Sequence, residues 1–378
     1  MKKIATKHEI ASWKIDSPIE RWLSKRADNS HFWKRVYVNY YRFFDKEYYN
    51  KGLSLIDKTI KLFVGTVSPK ERKRYVEDMA YSLHRFGCMF DEYFAFRFEL
   101  LNTSGRQSFI TDKIRWDYYD RMNSRENLEL FNNKRKAYEI FREVYKRELI
   151  EISGDEDFDE FVSFFDKHNT IIVKPKNGSG GRGIFLLEKE KCPSARAAFE
   201  EIRAVGDAVV EEQIIQAPEM AALNTSSVNT VRVPTLKTED GVVIVHPFLR
   251  CGCGDSVVDN ASSGGILAEV DAKTGIVITK GANEAGDFFI KHPFSQKVIP
   301  GFQIPRWEEV VSLVNKLAYI VPSNNYIGWD LALTEQGWIV VEGNPRGQLL
   351  SQYASRYGIR SELEYYINKM ERVYMNDT

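Results

Sequence analysis

The chain has 378 residues, enough for two or three domains and a large core. Lysine plus arginine and aspartate plus glutamate both number 53, so the net charge is zero, which argues against nucleic acid as a partner. Hydrophobic residues make up 43% of the chain, no apolar run is long enough for a membrane helix, and four cysteines are too few for a disulfide framework. We therefore expect a globular protein of the cytoplasm.

Residues 1–120 are predicted to form a helical, aromatic-rich region. Ser68, Pro69 and Glu71 are typical of a helix start, because they supply a cap, a first-turn proline and a first-turn acid. An earlier stripe from Trp33 to Phe44 alternates with basic side chains. It is interpreted as a helix buried against its neighbours, with a basic-aromatic face for a membrane surface or a protein partner as the alternative.

A glycine-rich loop is the most informative feature of the next region, residues 121–212. An apolar run from Ile171 ends in Lys174, and a second apolar run leads to Glu188. Glycine lets backbone N–H groups approach an anion closely, so the loop predicts a phosphate site. The predicted phosphate-binding residues of the loop are Asn177, Gly178, Ser179, Gly180, Gly181 and Gly183.

The same loop contains the spacing of a dinucleotide-binding fingerprint, in Gly178, Gly180 and Gly183. That fingerprint requires a strand before the loop and a helix after it, whereas Ile184–Glu188 is typical of a strand. The loop is therefore predicted to be the tip of a β-hairpin. A flexible hairpin without a ligand remains the alternative interpretation.

Residues 213–378 are predicted to contain strands at 231–236, 241–249, 266–270 and 276–279, a helix at 307–320 and a final β-hairpin. Asp330 lies on the first hairpin strand, Glu342 ends the second, and Asn344 points to the same side as Glu342. Their oxygen atoms suit Mg²⁺ completed by phosphate and water. A solvated acidic edge is the alternative, but burying an unpaired Asp330 carboxylate would be costly.

A third motif lies between the other two. Residues 209–215 are typical of a strand that runs into an extended link, whose backbone groups can contact a purine edge. Glu211 can accept a hydrogen bond from an exocyclic amine.

Taken together, the ordered motifs resemble the ATP-grasp superfamily over residues 130–350. The resemblance implies an α+β ATP-grasp fold, in which two α+β subdomains clasp ATP, with a helical N-terminal region. It also implies roles for individual residues: Lys134, with Lys136 as competitor, and Lys174 for phosphate; Glu211, Gln213 and Ile214 for adenine; and Asp330, Glu342 and Asn344 for magnesium.

Within the superfamily, residues 229–233 and 258–265 are similar to the sugar-transfer-associated ATP-grasp family. Ligases that join two alanines carry an arginine two residues before the metal aspartate, a place that Gly328 occupies here. Arg232 or Arg346 is the candidate catalytic cation in its stead. Asp259 and Asn260 are candidates for a substrate loop, with an ordinary turn as the alternative.

The resemblance implies an ADP-forming carboxylate–amine ligase with an acylphosphate intermediate. Its substrates would be small-molecule or sugar-linked carboxylates and amines, in the biosynthesis of bacterial surface polysaccharide or a related sugar conjugate. A kinase that phosphorylates a hydroxyl group, and a nucleotide-binding partner of a glycosyltransferase complex, are the alternatives.

Overall fold

The structure is a computed structural model that describes residues 18–44, 46–124, 128–176, 183–254, 259 and 264–376. The predicted loop residues Asn177, Gly178, Ser179, Gly180 and Gly181, and Asn260, lie outside these ranges. The chain divides into two compact units, the first reaching Tyr119 and adding 284–287 and 355–365, the second comprising the remainder. In the described ranges, no helix is long and apolar enough to cross a membrane. The division into regions 1–120, 121–212 and 213–378 stays a prediction.

The first unit is helical, as predicted for the N-terminal region. Its described helices up to Tyr119 are α1 (Pro18–Ala27), α2 (His31–Phe44), α3 (Lys46–Phe63), α4 (Pro69–Phe86), α5 (Phe90–Ala95), α6 (Thr103–Gln107) and most of α7 (Asp112–Met122). The predicted start of α4 is confirmed by a capping box between Ser68 and Glu71. The helix ends at Gly87, whose φ of 65° is the left-handed cap that glycine favours.

The second unit contains the remaining helices and all the described strands. Its helices are α8 (Leu128–Asn132), α9 (Lys134–Tyr145), α10 (Phe158–Lys167), α11 (Ala195–Ala204), α12 (Pro218–Ala221), α13 (Trp307–Leu317), α14 (Ser351–Ser355) and α15 (Arg360–Asn376). Of α15, only the part beyond residue 365 belongs to this unit. Asn133 caps α9 by accepting a hydrogen bond from the backbone N–H of Lys136.

A four-stranded antiparallel sheet carries the predicted hairpin. Its strands are β1 (Leu149–Ile152), β2 (Thr170–Pro175), β3 (Phe185–Glu188) and β4 (Ala208–Glu212), in the order β1-β4-β2-β3. β2 and β3 pair antiparallel from Thr170 opposite Glu188 to Val173 opposite Phe185. The strand–loop–strand interpretation is therefore confirmed. Phenylalanines of α10 and α11 cover one face of this sheet in a separate core.

An eight-stranded sheet carries the predicted C-terminal hairpin. Its strands are β5 (Thr230–Thr238), β6 (Gly241–Ile244), β7 (Phe248–Cys251), β8 (Ile266–Glu269), β9 (Gly281–Ala282), β10 (Phe288–Phe289), β11 (Tyr326–Thr334) and β12 (Gly337–Asn344). Seven of them follow the order β10-β9-β8-β7-β5-β11-β12, and β6 pairs with β5. The main core, which includes Trp329 and Val233, packs on one face of this sheet against α9 and α13.

Two predicted strands differ from the structure. The predicted strand 241–249 is two strands, because His246 adopts a φ of 46° and Pro247, which has no N–H to donate, follows it. The predicted strand 276–279 contributes only isolated bridges, from Ile276 to Gln303 and from Val277 to Val270.

Candidate functional site

The face of the eight-stranded sheet opposite the main core carries a row of charged residues. Asp330 on β11 lies opposite Arg232 on β5 and opposite Glu342 on β12. Residues directly opposite each other in antiparallel strands point to the same face, so all three side chains share it. Asn344, opposite Gly328, adds its amide to that face and lies with Nδ2 3.5 Å from Asp330 Oδ2. The structure therefore brings the three predicted metal residues together.

A β-bulge in β12 places Glu342 in this row. The partners on β12 jump from Glu342, opposite Asp330, to Val340, opposite Leu331, so Val341 is an extra residue. If the ladder continued unbroken from Val340 instead, Val341 would lie opposite Asp330 and Glu342 would lie opposite Trp329, on the core face of the sheet. Glu342 would then face away from Asp330.

The side chain of Arg232 occupies the space beside Gly328. Its Nη2 donates to Asp330 Oδ2 at 2.6 Å, and its Nε donates to Asp330 Oδ1. A Cβ atom added to Gly328 would lie 3.1 Å from Arg232 Cδ, and one added to Gly347 would lie 3.1 Å from Arg232 Nη1. The two glycines thus make room for an arginine that comes from the neighbouring strand.

Arg250 is a second arginine at Asp330, and the sequence interpretation did not single it out. Its Nη1 donates to Asp330 Oδ2 at 2.9 Å and its Nη2 donates to Asp259 Oδ1 at 2.8 Å. Burial raises the pKa of Asp330, but Arg232 and Arg250 outweigh burial and hold that pKa below its ordinary value. The arginines thus account for the burial of Asp330, which the sequence interpretation had counted in favour of a metal.

The donor set on this face still fits magnesium in kind. Asp330 stays ionised, Glu342 is exposed, and Asn344 is half-buried. Two guanidinium groups face three carboxylates, counting Asp259, so these groups keep a net negative charge. Within the described ranges no three His, Cys, Asp or Glu residues group as a metal site, so phosphate and water would have to complete the shell.

A positively charged cluster on the four-stranded sheet adjoins this face. Lys174 Nζ donates to Glu211 Oε2 at 2.7 Å, and Arg147 Nε donates to the same oxygen at 2.9 Å. Burial raises the pKa of Glu211, but the two cations outweigh burial and lower the pKa to about 2. Glu211 is therefore an ionised carboxylate that positions Lys174. Its predicted contact with adenine stays a prediction.

Arg147 also links the two sheets, and the sequence interpretation missed it. Its Nη1 donates to the carbonyl of Val340 at 2.6 Å, and its Nη2 donates to that of Val341 at 3.0 Å. These two carbonyls belong to the bulge that precedes Glu342. One buried guanidinium therefore satisfies the irregular backbone of β12 and holds it against the carboxylate beside Lys174.

Lys134, rather than its competitor Lys136, lies in this cluster. Lys134 Nζ donates to the carbonyls of Pro175 and Lys176 at 3.3 and 3.4 Å, where β2 enters the glycine loop. Burial lowers its pKa, Glu342 raises it and Lys174 lowers it further, which places its charge near both clusters. Lys136 is exposed on the first turn of α9.

The other predicted site residues are more scattered. Gly183 has a φ of 74°, and a Cβ atom there would lie 2.9 Å from Pro175 Cγ, so glycine is required where the loop rejoins β3. Gln213 directly follows β4, and Ile214 is buried against Ala332. Arg346 forms an ion pair with Asp120 at 3.7 Å, whereas Arg232 is the predicted cation that pairs with Asp330.

Solved structures of several enzymes are similar to the chain at low sequence identity. An ATP-grasp ligase called PsnB, solved with its minimal precursor, is 13% identical over 73% of this chain and 72% of its own, with a TM-score of 0.42. N5-carboxyaminoimidazole synthetase from Staphylococcus aureus, solved with ADP, is 13% identical over 60% of this chain and 48% of its own, with a TM-score of 0.39. D-alanine-D-alanine ligase from Coxiella burnetii is 9% identical over 66% of this chain and 59% of its own, with a TM-score of 0.40.

No curated protein matches the sequence. The sugar-transfer associated ATP-grasp family matches residues 113–368, which is more than half of the chain. The predicted ATP-grasp fold with a helical N-terminal region is thereby confirmed. The chain belongs to the sugar-transfer associated ATP-grasp family.

Proposed function

We propose that the protein is an ATP- and magnesium-dependent carboxylate–amine ligase that forms ADP through an acylphosphate. The observation that carries the proposal is the contact between two oppositely charged clusters. The first cluster is positive, because it has three cations, Lys134, Lys174 and Arg147, and one carboxylate, Glu211. The face around Asp330 and Glu342 keeps a net negative charge. A triphosphate requires the first cluster and its divalent cation requires the second.

The protein's own residues would act mainly by positioning and by neutralising charge. Lys134 and Lys174 would hold phosphate oxygens at the end of β2. Magnesium, held by Asp330, Glu342 and Asn344, would neutralise the phosphate oxygens when bound. A substrate carboxylate oxygen would attack the γ-phosphorus as its bond to the leaving ADP oxygen breaks.

Arg232 supports the second half of the reaction. An amine would attack the acyl carbon, phosphate would leave with the C–O bonding pair, and the amine would lose one proton to solvent. The oxyanion that forms in this step needs a nearby cation. Arg232 Nη1 lies beside Gly347, on the same face as Asp330, and can serve as that cation or bind the acceptor carboxylate.

The family match supports an extension of this proposal to the substrates. Because the chain belongs to a family associated with sugar transfer, we propose that the acid or the amine is carried by a sugar conjugate, as in bacterial surface polysaccharide biosynthesis.

The test is an ATP-dependent metabolite screen with purified protein, magnesium and cell extract. A ligase releases free phosphate and yields an amide, and a carboxylate labelled with heavy oxygen passes its label to the phosphate. A kinase yields a phosphorylated product without free phosphate, and a nucleotide-binding partner of a glycosyltransferase complex yields neither. Unlabelled phosphate alongside an amide product would refute the acylphosphate.

Two lysines on one helix provide a matched control for the phosphate assignment. Lys134→Met should abolish ATP turnover, whereas Lys136→Met should leave it close to wild type, because only Lys134 lies at the end of β2. Equal loss in both variants would contradict the assignment. Normal turnover in Lys134→Met would contradict it as well.

A further inference from the structure

An exposed aromatic and basic surface lies on the first two helices, and the proposed reaction makes no use of it. Ile19, Trp22 and Phe32 are 61%, 49% and 67% exposed. Trp33 packs edge-on against both rings, with centroids 5.4 Å from Trp22 and 5.5 Å from Phe32. These four residues, with Arg21, Lys25 and Arg26, are called here the aromatic–basic patch.

Ile19, Trp22 and Phe32 lie outside the buried part of their helices. α1 buries Leu23 and Ala27, whereas Ile19 lies at the exposed start of that same stripe, four residues before Leu23, and Trp22 lies on the adjoining side of the helix. α2 buries Tyr37 and Tyr41 on the side where Tyr41 stacks on His84 of α4. Trp33 is half-buried at the start of that stripe, whereas Ile19, Trp22 and Phe32 stay exposed to solvent.

The outward-facing charge of the patch is positive. Arg21, Lys25 and Arg26 are exposed, and the guanidinium of Arg26 lies 4.4 Å from the ring centroid of Trp22. Both acids of this segment point inward instead. Glu20 accepts a hydrogen bond from Tyr41 Oη at 3.3 Å, and Asp28 accepts two from Arg85 at 3.0 Å.

We propose that the aromatic–basic patch binds the surface of an anionic lipid bilayer. Tryptophan and phenylalanine partition into the headgroup region, and flanking lysine and arginine are attracted to anionic lipids. Arginine and lysine stems also lie along apolar surface while the charges stay in water. The exposed aromatic side chains are flanked by cations on α1, an arrangement that fits a headgroup layer.

The test is co-sedimentation of the full chain with lipid vesicles. The protein should bind vesicles that contain phosphatidylglycerol, bind pure phosphatidylcholine vesicles far more weakly, and dissociate as salt rises because exposed charges are screened. The double variant Trp22→Ser with Phe32→Ser should bind at least about tenfold more weakly, because two apolar side chains are lost. ATP turnover in solution should be unchanged.

The matched control is Leu62→Ser with Leu100→Ser, which removes two side chains of the same unit that are 73% and 68% exposed. It should bind vesicles as the wild type does. If the aromatic variant fails to fold, Arg21→Glu with Lys25→Glu tests the same surface through its charge.

Three results would overturn the proposal. One is that the wild-type protein does not bind anionic vesicles, and another is that the control variant loses as much binding as the aromatic variant. The third is a protein dimer that the aromatic variant dissociates without any vesicle binding, which would assign the patch to a second copy of the chain.

Discussion

Replacing Arg147 tests whether one buried side chain fixes both halves of the site. Arg147→Met keeps most of the side-chain length but removes the charge and all the donors. The substitution breaks the hydrogen bonds to Glu211 at 2.9 Å, to the Val340 carbonyl at 2.6 Å and to the Val341 carbonyl at 3.0 Å. The two carbonyls would then have to find water or remain unpaired in a buried place, whereas Glu211 keeps its hydrogen bond from Lys174.

The expected loss of folding stability depends on which buried partners remain. Breaking a buried ion pair costs about 3–5 kcal/mol when the other charge is left alone. Glu211 keeps Lys174 at 2.7 Å, so its charge stays compensated, and we expect the lower end of that range, about 3 kcal/mol. The pKa of Glu211 should also rise, because one of the two cations that lower it is gone.

Urea denaturation and hydrogen exchange measure this change. The free energy of unfolding should fall by about 3 kcal/mol, and peptides from β11 and β12 should exchange faster. Because the backbone before Glu342 would be less fixed, the magnesium concentration required for ATP binding should increase. The control is Lys167→Met, which breaks an exposed pair with Glu148 at 3.4 Å and should cost only about 0–1 kcal/mol.

Equal urea midpoints for the two variants would refute the reasoning. So would unchanged exchange in β12, because the carbonyls at the bulge would then not depend on Arg147.

Three further outcomes are expected. The pKa of Glu211 is about 2 in the folded protein against an ordinary 4.5, so its ionised carboxylate should contribute stability above pH 4.5 that is lost as the pH falls toward 2. Glu211→Gln should therefore flatten that part of an acid denaturation curve. Gly347→Ala would place a Cβ atom 3.1 Å from Arg232 Nη1, so turnover should fall about tenfold or more at an unchanged melting temperature, and normal turnover would contradict the role of Arg232. Asp330→Asn should raise the magnesium concentration for half-maximal ATP binding at least about tenfold, and an unchanged titration would remove the metal assignment.

Local signals in the sequence were sufficient to predict the hairpins and the proximity of Asp330, Glu342 and Asn344. Alternation placed Asp330 and Glu342 on paired strands, and the apolar run after Gly183 excluded a helix there. Cap residues located the start of α4. These features depend on neighbours within a few residues, which the sequence shows directly.

Long-range contacts were beyond the same reasoning. Arg147 follows a helix in a charged stretch, and nothing local indicates that it reaches the carbonyls of β12. Arg250 offered a weak signal, as a charged residue within the buried strand β7. The ion pairs of Asp330 with both arginines depend on strand order, which a single sequence does not reveal.

The pairing of Arg232 with Asp330 also bears on how the site forms during folding. The two residues are 98 positions apart, and their side chains meet only when β5 and β11 pair. Contacts of such high sequence separation form late, because closing the long intervening loop costs entropy before the contacts can offset it. The charged face is therefore a product of the completed sheet, and a fragment that ended before β11 would leave Arg232 without its carboxylate.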